Sequence, residues 1–172
     1  MYQLLFIITS FFFLNGCNSP SNPQDERENQ IARINKLESR ILGNDVFSRD
    51  TALMLVELQS VFAENYPQDS LAAIYLFKAA DIAKGADKPG LAIKLWGKVH
   101  RQYPDFKAAP ESLFLQAFTF ENQIKDLNNA KVYYETFINR YPNHELAQVA
   151  RLALENIGQS PDELLKKFEN KQ

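Results

Sequence analysis

Few residues in this chain have the type and spacing to do covalent chemistry. Cys17 is the only cysteine, so no disulfide can close within the chain, and His100 and His144 are the only histidines. A protein-bound transition metal usually takes three or four side-chain ligands. Two widely separated histidines, neither with a second ligand four residues on, do not make such a set. No Gly-rich phosphate loop and no Gly-x-Ser-x-Gly elbow occurs. The carboxylates are scattered along amphipathic stretches, where solvated charge is their ordinary role. No catalytic residue, no cofactor and no metal is therefore expected. A net charge of −2 without a basic cluster gives no reason to expect nucleic acid.

What the chain has in surplus is aromatic side chains. In PESLFLQAFTFENQ, Leu113, Ala117 and Phe120 occupy one face at helical spacing, and Phe114 and Phe118 form a second stripe four residues apart. Phe77 matches Phe114 one period earlier, and Leu152 matches it one period later. Left open, the strip Phe77, Phe114, Phe118 and Leu152 would be a groove for an apolar segment of a partner. Covered by the terminal helices, it would be core.

A repeat must position these residues. Tyr-Pro recurs at Tyr66-Pro67, Tyr103-Pro104 and Tyr141-Pro142, at intervals of 37 and 38 residues. An amphipathic stretch precedes each, and a second stretch of helical period lies between each pair. The unit is helix, short turn, helix, Pro. Small residues recur where paired helices must approach, at Ala80 and Ala92 and again at Ala117 and Ala130. Bulky Trp96 and Tyr134 follow four places after the second small residue, and Pro104 and Pro142 close the units. Leu55 stands where the first unit should be small, and the connection around Lys125-Asp126 is longer than its counterpart. Gly85 is expected to end a helix in the left-handed region, Asp87 and Asp126 to cap the helices that follow, and Pro89 and Pro110 to sit in first turns.

This pattern resembles the tetratricopeptide repeat over roughly residues 50 to 158. The resemblance implies an all-α solenoid of helical hairpins whose first helices line a concave face, and a protein that binds other proteins and is not an enzyme. Ile31, Ile34, Leu37 and Ile41 in QIARINKLESRIL form either a helix capping the first hairpin or a short coiled coil that oligomerises the chain. At the other end, Gly158 stops a helix. Pro161 to Phe168 reads as a terminal capping helix with Leu164, Leu165 and Phe168 on one side.

The amino-terminal segment YQLLFIITSFFFL has no charge and is shorter than the roughly 20 residues a membrane span needs. Leu14-Asn15-Gly16-Cys17 follows it and resembles the lipobox of bacterial lipoproteins. The alternative is a short membrane anchor with an incidental Cys. The resemblance implies cleavage before Cys17 and lipidation of its sulfur and amino terminus. NSPSNPQDERE behind it is polar and reads as a tether.

The expected organisation is a signal peptide over 1–16, a disordered tether over 17–30, a leading helix over 31–47, about two and a half repeats over 48–158 and a capping helix over 159–172. The plan resembles periplasmic repeat lipoproteins of the Tol-Pal system and of outer-membrane protein assembly. That implies a membrane-anchored scaffold or adaptor in the bacterial cell envelope, on the periplasmic face of the outer membrane. Its partners would be an envelope protein or peptide and, through the lipid anchor, the membrane. The alternative is a structural lipoprotein that associates, weakly, with copies of itself.

Overall fold

The computed structural model describes residues 22–43, 48–159 and Glu163. Cys17, the apolar run before it and the capping helix expected beyond Gly158 lie outside the described residues, Glu163 excepted. The described residues form seven α-helices and one π-turn and no strand. The helices are α1 (Pro23–Gly43), α2 (Arg49–Asn65), α3 (Ser70–Gly85), α4 (Pro89–Gln102), α5 (Ala109–Thr119), α6 (Leu127–Arg140) and α7 (Ala147–Asn156), and the π-turn Phe120–Ile124 continues α5. Each helix packs mainly on its sequence neighbours. That is the contact pattern of an all-α solenoid. Among the described residues no helix is long and apolar enough to cross a membrane.

Three turns repeat almost atom for atom. The N–H groups of Tyr66, Tyr103 and Tyr141 donate to the carbonyls of Phe62, Val99 and Phe137 at 2.9, 3.0 and 2.8 Å. The three tyrosines share one backbone conformation, with φ/ψ of −128/60, −127/60 and −131/57°. Asp69, Phe106 and His144 then donate to the tyrosine carbonyls, and Ala72, Ala109 and Ala147 to theirs. Proline after each tyrosine cannot continue the helix, which fixes where the turn starts.

The unequal intervals have a local cause. Ala80 and Ala117 are 37 apart, Ala92 and Ala130 are 38 apart, so the extra residue lies between Ala117 and Ala130. There the helix widens into the π-turn Phe120–Ile124. A single inserted residue is commonly absorbed in this way, by one widened turn in a helix. The connection at Lys125-Asp126 is accordingly short, and Asp126 caps α6 by accepting from Asn129 N–H at 3.0 Å.

The other turn expectation is corrected. Gly85 is not left-handed; Asp87 is, with φ of 56°, and Lys125 holds the matching place at φ of 63°. Asp87 therefore does not cap α4, which starts at Lys88 without a side-chain cap and with Pro89 in its first turn. Gly158, beyond the end of α7, is left-handed, with φ of 81°.

Core packing follows the repeat register. Ala80, Ala92, Ala117 and Ala130 are wholly buried, as are Trp96 and Tyr134. In the first unit the sizes are exchanged. Leu55 fills the small place, and Gln59 stands where Trp96 and Tyr134 stand later; both are buried. The larger residue at one place is offset by a smaller one a turn away, as close packing demands.

The amino-terminal boundary also moves. Helix α1 begins at Pro23, so residues 23–30, expected in the tether, are helical. Proline suits a first helical turn, and Asp25 and Glu26 face the positive end of the helix dipole. Arg27 donates to Asp69, the residue that caps α3 through Leu71 N–H. The Arg27 hydrogen bond holds the Asp69 carboxyl below its ordinary range. Further along α1, Glu38 accepts from Gln59 of α2 at 2.9 Å and from Lys78 of α3 at 3.1 Å. Ile34 and Leu37 are buried with Leu55, Phe62 and Tyr75. The apolar stripe of α1 is thus occupied within the chain, as a cap on the first hairpin.

Candidate binding surface

Two neighbouring recesses share Asp81 of α3. Glu38 and Ile41 of α1, Leu55 of α2 and Lys78, Asp81 and Ile82 of α3 line a cavity of about 310 Å³. Asp81 also borders a second recess of about 470 Å³, shared with Lys84, Gly85 and Gln123 of the π-turn. Burial raises the proton affinity of Asp81, and Glu111 adds to this. The buried Trp96 indole N–H offsets the rise only in part, because it makes no well-formed hydrogen bond. Lys84 leaves this recess to lie over the Phe118 ring, with Nζ 5.1 Å from its centroid. A cation over an aromatic face is attracted by the ring quadrupole.

The aromatic strip is broken. Phe114 is 8% exposed and belongs to the core, its ring 5.7 Å from Tyr134 and 5.6 Å from Phe137 of α6. It is withdrawn as an open groove residue because α6 offers two aromatic rings to pack on, a stronger attraction than solvent-side exposure. Phe77 is half-buried and meets Phe106 from the preceding turn of the next unit, edge-on at 6.2 Å. Only Phe118 and Leu152 remain open, at 38% and 48% exposure. Phe118 lies stacked on Phe114 at 6.4 Å. The structure thus keeps two of the four expected residues on the surface. It adds Asp81 and Lys84, which sequence reasoning passed over. Counting 37 back from Phe118 arrives at Asp81, so the repeat register was the signal that could have found it.

The histidines hold structural posts. His144 Nδ1 accepts from Leu146 N–H at 3.2 Å at the start of α7, and its ring packs on Phe137 at 5.5 Å. His100 is 7% exposed, with Nε2 3.3 Å from the Tyr141 hydroxyl. The ring fills a space that in the unit before is taken by Ala63. Among the described residues no group of three or more His, Cys, Asp or Glu is arranged to hold a metal ion.

Comparison with curated proteins finds no match. The family model for the tetratricopeptide repeat matches residues 111–144. That span runs from α5 through the π-turn and α6 to the turn after Tyr141. Such repeats are typically non-catalytic modules that mediate protein–protein binding. The chain therefore carries a tetratricopeptide repeat at residues 111–144, set within an all-α solenoid of helical hairpins.

Proposed function

We propose that this protein is a lipid-anchored scaffold of the bacterial cell envelope. It is held through Cys17 on the periplasmic face of the outer membrane and binds an extended peptide or a helix of an envelope protein. The observation that carries the binding role is the recess between α3 and the π-turn, whose Lys84 reaches over the open Phe118 ring. Exposed aromatic residues beside a recess often carry much of a partner's binding energy. The anchor is supported by the apolar run and Leu14-Asn15-Gly16-Cys17. Several acyl chains on one residue give the stable attachment that one chain alone does not.

Two measurements on the full chain test the reading. Cys17→Ser should move the protein from the detergent phase to the aqueous phase on phase partition. Retention in detergent with the first sixteen residues still present would mean a membrane anchor of another kind. For the surface, a photo-crosslinking side chain placed at Phe118 in cells should give one discrete adduct with a different protein, and Leu152 should give the same one. An adduct with a second copy of this chain would replace the scaffold by the self-associating lipoprotein. Light scattering on the purified protein would then show the oligomer directly.

A further inference from the structure

Outside that recess, the second helices of successive units form two clefts built from the same repeat positions. The first cleft lies between α2 and α4 and is lined by Ala63, Glu64, Pro67, Leu76, Lys98 and Gln102. Lys98 closes it by donating to Glu64 at 2.7 Å. The second lies between α4 and α6 over α5 and measures about 380 Å³. Equivalent positions are 37 apart before the π-turn and 38 apart after it. His100 thus replaces Ala63, Arg101 replaces Glu64, Thr136 replaces Lys98 and Arg140 replaces Gln102. The acid is gone, and the second cleft holds two guanidinium groups, Arg101 in place of Glu64 and Arg140 in place of Gln102. Among the described residues no carboxylate lines this second cleft, and neither arginine is in an ion pair.

The cleft is also shaped for its arginines. Gly97 is buried in the middle of α4, where glycine weakens a helix. A Cβ there would stand 2.9 Å from Arg101 Nη1 and 3.1 Å from Gln116 Oε1. The missing side chain lets the Arg101 guanidinium lie back across its own helix beside Gln116. Gln116 itself is 2% exposed and fixed by donating to the Ser112 carbonyl at 3.0 Å. Arg140 Cζ lies 5.8 Å from the Tyr141 ring centre, and that tyrosine's hydroxyl reaches His100. Tyr133 and Thr136 complete the wall.

We propose that this cleft binds a divalent oxyanion, an inorganic phosphate or the phosphate of a small soluble phosphomonoester, between Arg101 and Arg140. Guanidinium forks match phosphate oxygens two at a time. A single carboxylate would leave one of the two arginines uncompensated, whereas a dianion neutralises both. The recessed, buried His100 and Gln116 favour a small group that enters the cleft over a flat charged surface. His100 couples the site to pH. Burial, then Arg140, then Arg101 hold its proton affinity below the ordinary value of 6.5. A bound dianion cancels the two arginines, so it raises the proton affinity of His100 back toward the ordinary value.

The full chain in inorganic phosphate should melt at higher temperature than in chloride of equal ionic strength. The NMR titration midpoint of His100 should move up in phosphate. Arg101→Gln and Arg140→Gln should each weaken the apparent phosphate affinity by about tenfold or more. The double substitution R101E/T136K rebuilds the Glu–Lys pair of the first cleft. It should fold, as circular dichroism would show, and lose the phosphate response. A response that survives in R101Q/R140Q overturns the proposal. So does a wild-type protein whose His100 midpoint is the same in millimolar phosphate and in chloride. Binding to phosphatidylglycerol vesicles with no response to soluble phosphate would also overturn it, and would make the cleft a membrane contact.

Discussion

The junction of α2 with α4 and the junction of α4 with α6 share a backbone and differ in what they leave unfinished. At the first, Lys98 and Glu64 satisfy each other and Phe77 stays half-buried. At the second, Phe114 is drawn into the core and two arginines stand without an acidic partner. One geometry therefore hosts a sealed seam and an unsealed one. Each repeat contacts little beyond its neighbours, so side chains at one junction can change without disturbing the next. A repeat match specifies the frame, and the departures between equivalent positions specify where ligands fit.

Truncation of the aromatic pair tests the comparison most severely. Phe114→Ala should cost about 3–5 kcal/mol, as removal of a core phenyl ring does. Phe77→Ala, at the first junction, should cost clearly less, because its ring is only half-buried. Equal losses in chemical denaturation would erase the distinction between the junctions. A middle-sized effect is expected at the close helix contacts. Ala92→Leu and Ala130→Leu should each cost about 1–3 kcal/mol by overpacking, and thermal melts should find exposed Lys94→Leu within about 0.5 kcal/mol of wild type. If all three melt alike, the register that equates the two units is wrong. The smallest effect belongs to the sealed seam. Glu64 is 61% exposed in its side chain, so Glu64→Gln should cost about 0.2–1 kcal/mol and the loss should fade in high salt. A loss independent of salt would mean that packing, not charge, closes that cleft.

The amino-acid pattern made the solenoid legible because its signals are local. Proline positions, small residues at helix contacts and the spacing of Trp96 and Tyr134 all depend on backbone geometry that recurs. Phe114 was less legible. Its exposure depends on Tyr134 and Phe137, which lie on another helix, and helical phase alone cannot tell a groove from a seam between aromatic rings. The start of α1 was missed for a similar reason. PQDERE is polar and buries little, but Arg27 finds Asp69 on α3, a contact 42 residues away. The burial of His100 is not written in the register either, since the equivalent Ala63 shows that one position can be filled by a methyl group or by a ring.

The early start of α1 sets a limit on reach. Under the proposed anchoring, the six peptide units from Cys17 to Pro23 can extend at most roughly 20 Å. Helix α1, at 21 residues, is itself about 32 Å long. The connection is shorter than the first element it holds. The domain would then behave as a bracket on the bilayer and not as a float on a long leash. A partner would be met within a few nanometres of the lipid headgroups, and proteins whose binding segments stand well clear of the membrane would be out of range.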